Sequence, residues 1–103
     1  MLIEVDIFSG VPNPAWVLNA TDSLKLHRLQ DSLEASSEEP PTLPGLGYRG
    51  FCYGETPRRF RAYRGYIQSA GVLLLDPELS IERFLRDKLP AQFAHLRAKL
   101  EFQ

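Results

Sequence analysis

The sequence predicts an α+β fold, a small antiparallel or mixed sheet with two to three helices packed on one face. Three observations carry that expectation. Leu2 to Phe8 alternates, with Ile3, Val5 and Ile7 on one side and Glu4, Asp6 and Phe8 on the other, the period of a half-buried strand. Leu26, Leu29 and Leu33 recur at helical spacing among Lys25, Arg28 and Asp31. Val72 to Leu75 is an all-apolar run closed by Asp76-Pro77, a strand followed by a helix start.

Taken in order, Ser9-Gly10 ends the first strand. Val11-Pro-Asn-Pro14 is extended, because Val11 and Asn13 both precede prolines. Trp16 to Leu18 makes a short apolar return. Thr21 is read as the N-cap of a helix over 22–35, with Asp22 placed to suit the helix dipole. The segment from Ser36 to Gly45, with three prolines, breaks that helix and forms a surface loop.

Phe51-Cys-Tyr53 is a short strand and Gly54 to Pro57 a turn. Arg59 to Gln68 reads as a longer strand whose parity slips, with Gly65 as a β-bulge. Ser69-Ala-Gly71 fits a three-residue hairpin loop, and Val72 to Leu75 a central strand. Asp76 is expected to cap a helix with Pro77 at its first position, and Ile81, Phe84, Leu85 and Leu89 form its apolar stripe. Pro90 kinks or restarts it, and Phe93, Leu96 and Leu100 continue at helical spacing.

The chain has 103 residues, a net charge of −1 and one cysteine, so one domain with neither an internal disulfide nor a multi-cysteine zinc site is expected. No apolar run approaches the ~18 residues of a membrane span, and acids interleave the first residues, unlike a signal peptide. The expected setting is cytoplasmic, with no membrane partner, no metal and no cofactor.

Gly45-Leu-Gly-Tyr-Arg-Gly50 spells the dinucleotide fingerprint, but that chemistry needs a strand before it and a helix N-terminus after it. Prolines precede it here and a strand follows, so the glycines are read as loop geometry. The Pro-Asn-Pro loop either presents Asn13 to a ligand or shapes the connection that brings Trp16 to the core. Residues 49–66 carry five arginines against one glutamate. Arginines interleaved with aromatics suit single-stranded nucleic acid or an acidic partner. Alternatively, Glu4 and Asp6 on the outer face pair with Arg59 and Arg61 and neutralise the patch.

For catalysis, Cys52 would have to meet His27 or His95, which lie among polar neighbours and are expected to be solvated. The last helix, with Phe93, Leu96, Leu100 and Phe102, either packs on its own domain or offers a homodimer contact.

Phe8-Ser-Gly-Val-Pro-Asn-Pro-Ala-Trp16, joined to Gly45-Leu-Gly-Tyr-Arg-Gly-Phe51 and Leu75-Asp-Pro77, resembles a family of small bacterial proteins sharing F-S-G-x-P-N-P-x-W and G-L-G-Y-x-G-F motifs. The resemblance implies an architecture and no catalytic residues. It also implies that the loops form one unit of Ser9, Gly10, Asn13, Trp16, Gly47, Tyr48 and Gly50. The functional expectation is a non-enzymatic binding or accessory module, recognising a protein partner or small ligand through Ser9, Asn13, Trp16, Tyr48, Arg49, Arg59 and Arg61. Single-stranded nucleic-acid binding along residues 58–66 and a small enzyme using Cys52 are the alternatives.

Overall fold

The computed structural model describes residues 1–8 and 10–100. It is an α+β fold built on one antiparallel sheet of seven strands: β1 (Leu2–Val5), β2 (Ala15–Val17), β3 (Glu34–Ala35), β4 (Phe51–Glu55), β5 (Arg58–Tyr63), β6 (Tyr66–Ser69) and β7 (Val72–Leu75). The spatial order is β2-β1-β4-β5-β6-β7-β3. Helices α1 (Ala20–Asp31) and α2 (Ser80–Asp87) and a 3₁₀ helix (Ala91–Leu100) complete it.

The register explains the two faces. Val5, Phe51, Ala62, Ile67 and Leu74 stand side by side across the central strands. They share the core with Leu26 of α1, Ile81 and Leu85 of α2, and Leu100. One residue out of phase, Ala15, Glu4, Cys52, Arg61 and Gln68 form a row on the opposite face. The period of two therefore sends apolar residues to the helices and polar ones to the outer face.

Several boundaries differ from the sequence reading. Asn19, not Thr21, caps α1, its Oδ1 accepting from Asp22 N–H at 2.8 Å. The helix ends at Asp31, and Glu34–Ala35 pair with β7. Val72–Leu75 is thus next to an edge rather than central. The expected bulge is a hairpin: Tyr63 faces Tyr66, and Arg64 (φ 50°) with Gly65 (φ 83°) makes a two-residue turn with both φ positive. The following loop is also two residues, Ala70-Gly71, since Ser69 faces Val72. Asp76 caps α2 from outside it. Its Oδ2 accepts from Ile81 N–H and its Oδ1 from the Ser80 hydroxyl, both at 2.8 Å.

Leu96 and Leu100 of the 3₁₀ helix are buried within their own domain, whereas Phe93 is half-buried. Phe102 lies outside the described residues.

The least anticipated feature is Glu82, 1% exposed on α2. Its carboxyl group accepts from the Tyr48 hydroxyl at 2.6 Å and from Arg64 N–H and Gly65 N–H at 3.0 Å. It joins the Gly45–Phe51 loop, the β5–β6 turn and α2. Burial, and then the adjacent Glu82, push the Tyr48 phenol far above its usual range, so it stays a donor. Gly65 is required at that turn, because a Cβ would lie 2.9 Å from Asp76 O.

Glu82→Ala removes the acceptor shared by three donors in or near the core, and is expected to destabilise the fold by about 3 kcal/mol. Tyr48→Phe removes one of the three bonds and should cost about 1 kcal/mol. Urea unfolding of both variants checks this; a Glu82→Ala protein as stable as wild type would contradict it.

Candidate functional site

The site is assembled around Asp6, whose place on the outer face follows from the parity of β1. Past Val5 the chain stays in the ladder: Asp6 N–H donates to Gly50 O at 2.9 Å, and Arg49 N–H to Asp6 O at 2.7 Å. Gly50 also permits the close approach of β5 on its other side. Its φ is 107°, and a Cβ would lie 2.5 Å from Ala62 O.

One carboxylate serves two arginines. Arg49 donates to Asp6 Oδ1 through Nε at 3.1 Å and Nη2 at 2.9 Å, and Arg61 Nη1 donates to Oδ2 at 2.7 Å. Partial burial alone would raise the Asp6 pKa. The hydrogen bonds and charges of Arg49 and Arg61 outweigh it and hold the carboxyl below its ordinary range. Arg49 also donates to Gly45 O and Phe8 O, and Arg61 to Arg49 O. The two loops are therefore joined at this point.

Asn13 completes the joint from the first loop. Its Oδ1 accepts from Ile7 N–H (3.0 Å) and Phe8 N–H (2.8 Å), while Nδ2 donates to Glu4 Oε2 at 3.0 Å and more weakly to Asp6 Oδ1 at 3.4 Å. Both polar atoms of the amide are engaged inside the protein, as the connection-shaping alternative requires.

Beside this joint lies an open groove of about 550 Å³ on the outer face, lined by Glu4, Asp6, Asn13, Cys52, Arg59, Phe60, Arg61 and residues 68–70. Arg59 Nη1 donates to Leu2 O and Gly54 O, each at 2.8 Å, and no carboxylate among the described residues pairs with it. Asp6 answers two guanidinium charges with one negative charge. The groove lining itself balances Arg59 and Arg61 against Glu4 and Asp6, and Arg49 at the rim leaves one positive charge in excess.

Of the residues singled out in the sequence, Asn13, Arg49 and Arg61 meet at Asp6, and Arg59 lies beyond them in the groove. Trp16 instead packs against the core from β2, and Tyr48 reaches Glu82. Ser9 lies outside the described residues. The groove adds Glu4, which the alternation of the first strand already sets on the outer face, and Gln68, which is placed there only once the β5–β6 turn is known.

The glycine run meets no helix N-terminus: β4 starts at Phe51, directly after Gly50. The arginine–aromatic strand separates its two chemistries. Arg59 and Arg61 face the groove, whereas the Phe60 ring stacks on buried Tyr53 at 5.7 Å. Guanidinium and ring therefore do not make one platform for bases. Burial pushes the Cys52 thiol up, only partly countered by Arg61, and neither histidine lines its groove. His27 and His95 are exposed. Among the described residues no group of three His, Cys, Asp or Glu side chains is placed to hold a metal ion, and no helix is long and apolar enough to cross a membrane.

Because the folded state favours ionised Asp6, its contribution is complete above the unfolded value of about 3.9 and is lost as pH falls through the lower folded value. The stability advantage of wild type over Asp6→Asn should therefore shrink below about pH 4; an advantage constant from neutral to strongly acidic solution would contradict this. Asn13→Asp keeps an acceptor but sets a third carboxylate beside Glu4 and Asp6. It should lower the melting temperature at neutral pH and recover part of it in mild acid; a pH-independent loss would contradict the charge argument.

No family model, curated protein sequence or solved structure matches this chain, so a functional reading rests on the geometry above.

Proposed function

We propose that the protein is a non-enzymatic binding module that recognises an acidic segment of a protein partner on the outer face of its sheet. The paired loops frame the site and Arg59 and Arg61 supply its charge. The observation that carries this reading is the charge balance of the groove. Arg59 has no carboxylate partner among the described residues, and Arg61 shares the single Asp6 carboxylate with Arg49. A guanidinium already oriented by backbone carbonyls loses little freedom when it binds a carboxylate.

The surroundings suit a peptide better than a lone anion. The Gln68 amide lies in the same groove, and the helices leave this side of the sheet open to an extended segment. A bacterial source is what the family resemblance implies, and a single cysteine suits a cytoplasmic setting.

Amide chemical-shift titration with a hexaglutamate peptide tests the reading, with inorganic phosphate and a thymidine oligonucleotide as comparators. The peptide should shift Cys52, Arg61 and Gln68, and Arg59→Gln should weaken it about tenfold. Arg97→Gln, which removes a distant pair with Asp87, should not. Absence of shifts in the groove, or tighter binding of the oligonucleotide with a steep salt dependence, would overturn it.

A further inference from the structure

Four charged side chains line the outer-face groove, and only two of them pair. Arg61 meets Asp6 at 2.7 Å. Arg59 and Glu4 find no opposite charge among the described residues. Arg59 is held by the carbonyls of Leu2 and Gly54, and Glu4 Oε2 accepts from the neutral amide of Asn13 at 3.0 Å. The two do not reach each other, although their anchors are neighbours. Arg59 Nη1 lies 2.8 Å from Leu2 O, and Leu2 stands two residues from Glu4 on β1, roughly 7 Å along an extended strand.

Glu4 is also oriented in advance. The Asn13 amide that donates to it is itself fixed, its Oδ1 accepting from Ile7 and Phe8 N–H. A half-buried carboxylate bound only to a neutral amide repels an incoming anion and attracts a cation, more strongly than in open water. Because its position is set beforehand, a cation that meets it costs little ordering of the protein.

We propose that the acidic segment bound in this groove carries a basic residue two positions from one of its carboxylates, the cation going to Glu4 and the carboxylate to Arg59. This charge pattern rests on the reading above that an acidic segment occupies the groove. The spacing follows from strand geometry. In an extended segment, side chains i and i+2 share one side and repeat at roughly 7 Å, the interval between Leu2 and Glu4. A uniformly acidic segment would satisfy Arg59 but set a carboxylate against Glu4, and a uniformly basic one would reverse the fault. A segment with both charges satisfies both residues. Its remaining acids still meet the positive charge that Arg49 leaves at the rim.

Amide chemical-shift titration with two end-capped hexapeptides tests this: hexaglutamate, and the same peptide with lysine at its third position. Net charge alone favours hexaglutamate. The charge pattern predicts instead that the lysine peptide binds wild type about fivefold tighter. Glu4→Gln, which keeps an acceptor for Asn13, should reverse that order, and Arg59→Gln should weaken both peptides. Hexaglutamate binding wild type as tightly as the lysine peptide, or more tightly, would overturn the charge pattern and leave the acidic-segment reading standing. A lysine preference that Glu4→Gln leaves unchanged would overturn it in the same way. Binding of neither peptide would overturn both. Should Glu4→Gln fail to fold, the order measured on wild type decides.

Discussion

Asp6 is the point on which the outer face depends. Its carboxylate, carried there by the alternation of β1, receives Arg49 from the second loop and Arg61 from β5, and lies beside the amide of Asn13 from the first. Four segments distant in sequence are held by one short acidic side chain. That economy has a consequence for charge. A carboxylate shared between two guanidiniums neutralises one of them, so joint and groove together, with Arg49, Arg59 and Arg61 against Glu4 and Asp6, keep one positive charge in excess in a chain whose net charge is −1.

A second carboxyl group completes the arrangement from the helical side. Tyr48 and Arg49 are consecutive. Tyr48 turns inward to Glu82 on α2 and Arg49 turns outward to Asp6. The loop before β4 is thus fastened to both faces of the sheet at once. Gly50 follows immediately, where β4 runs too close to β5 to admit a side chain. Aromatic contacts reinforce the inner attachment, with Tyr48 5.9 Å from Phe51 and 5.7 Å from Tyr63 between ring centroids. The paired motifs are accordingly one structural unit. Their unusual composition reflects the density of hydrogen bonds and close backbone approaches they must accommodate.

Much of this was legible before any coordinates. Alternation in Leu2–Phe8 places Glu4 and Asp6 opposite the core, and the alternative that these acids pair with Arg59 and Arg61 holds for Asp6 and Arg61. It fails for Arg59, whose register partner on β4 is Gly54, a residue with no side chain to offer. Arg64-Gly65 was misread because a two-residue turn and a bulge both interrupt strand parity at a glycine. Only the positive φ at both residues separates them. The role of Glu82 had no local signal. A glutamate on an amphipathic helix reads as solvated until a turn and a tyrosine from elsewhere in the chain supply its donors. For Asn13 the sequence leaves open whether the amide faces a ligand or closes its own loop, and the structure shows it bound to Ile7, Phe8, Glu4 and Asp6.

A double-mutant cycle on Asp6 tests the central claim most directly. Asp6→Asn would be combined separately with Arg49→Gln and with Arg61→Gln, and stability measured by urea unfolding. Simultaneous attachment predicts that both cycles are non-additive, each arginine losing much of its effect once the carboxylate is gone. Additive effects in either cycle would mean that Asp6 does not hold both arginines, and the account of the joint and of the charge left in the groove would fail with it.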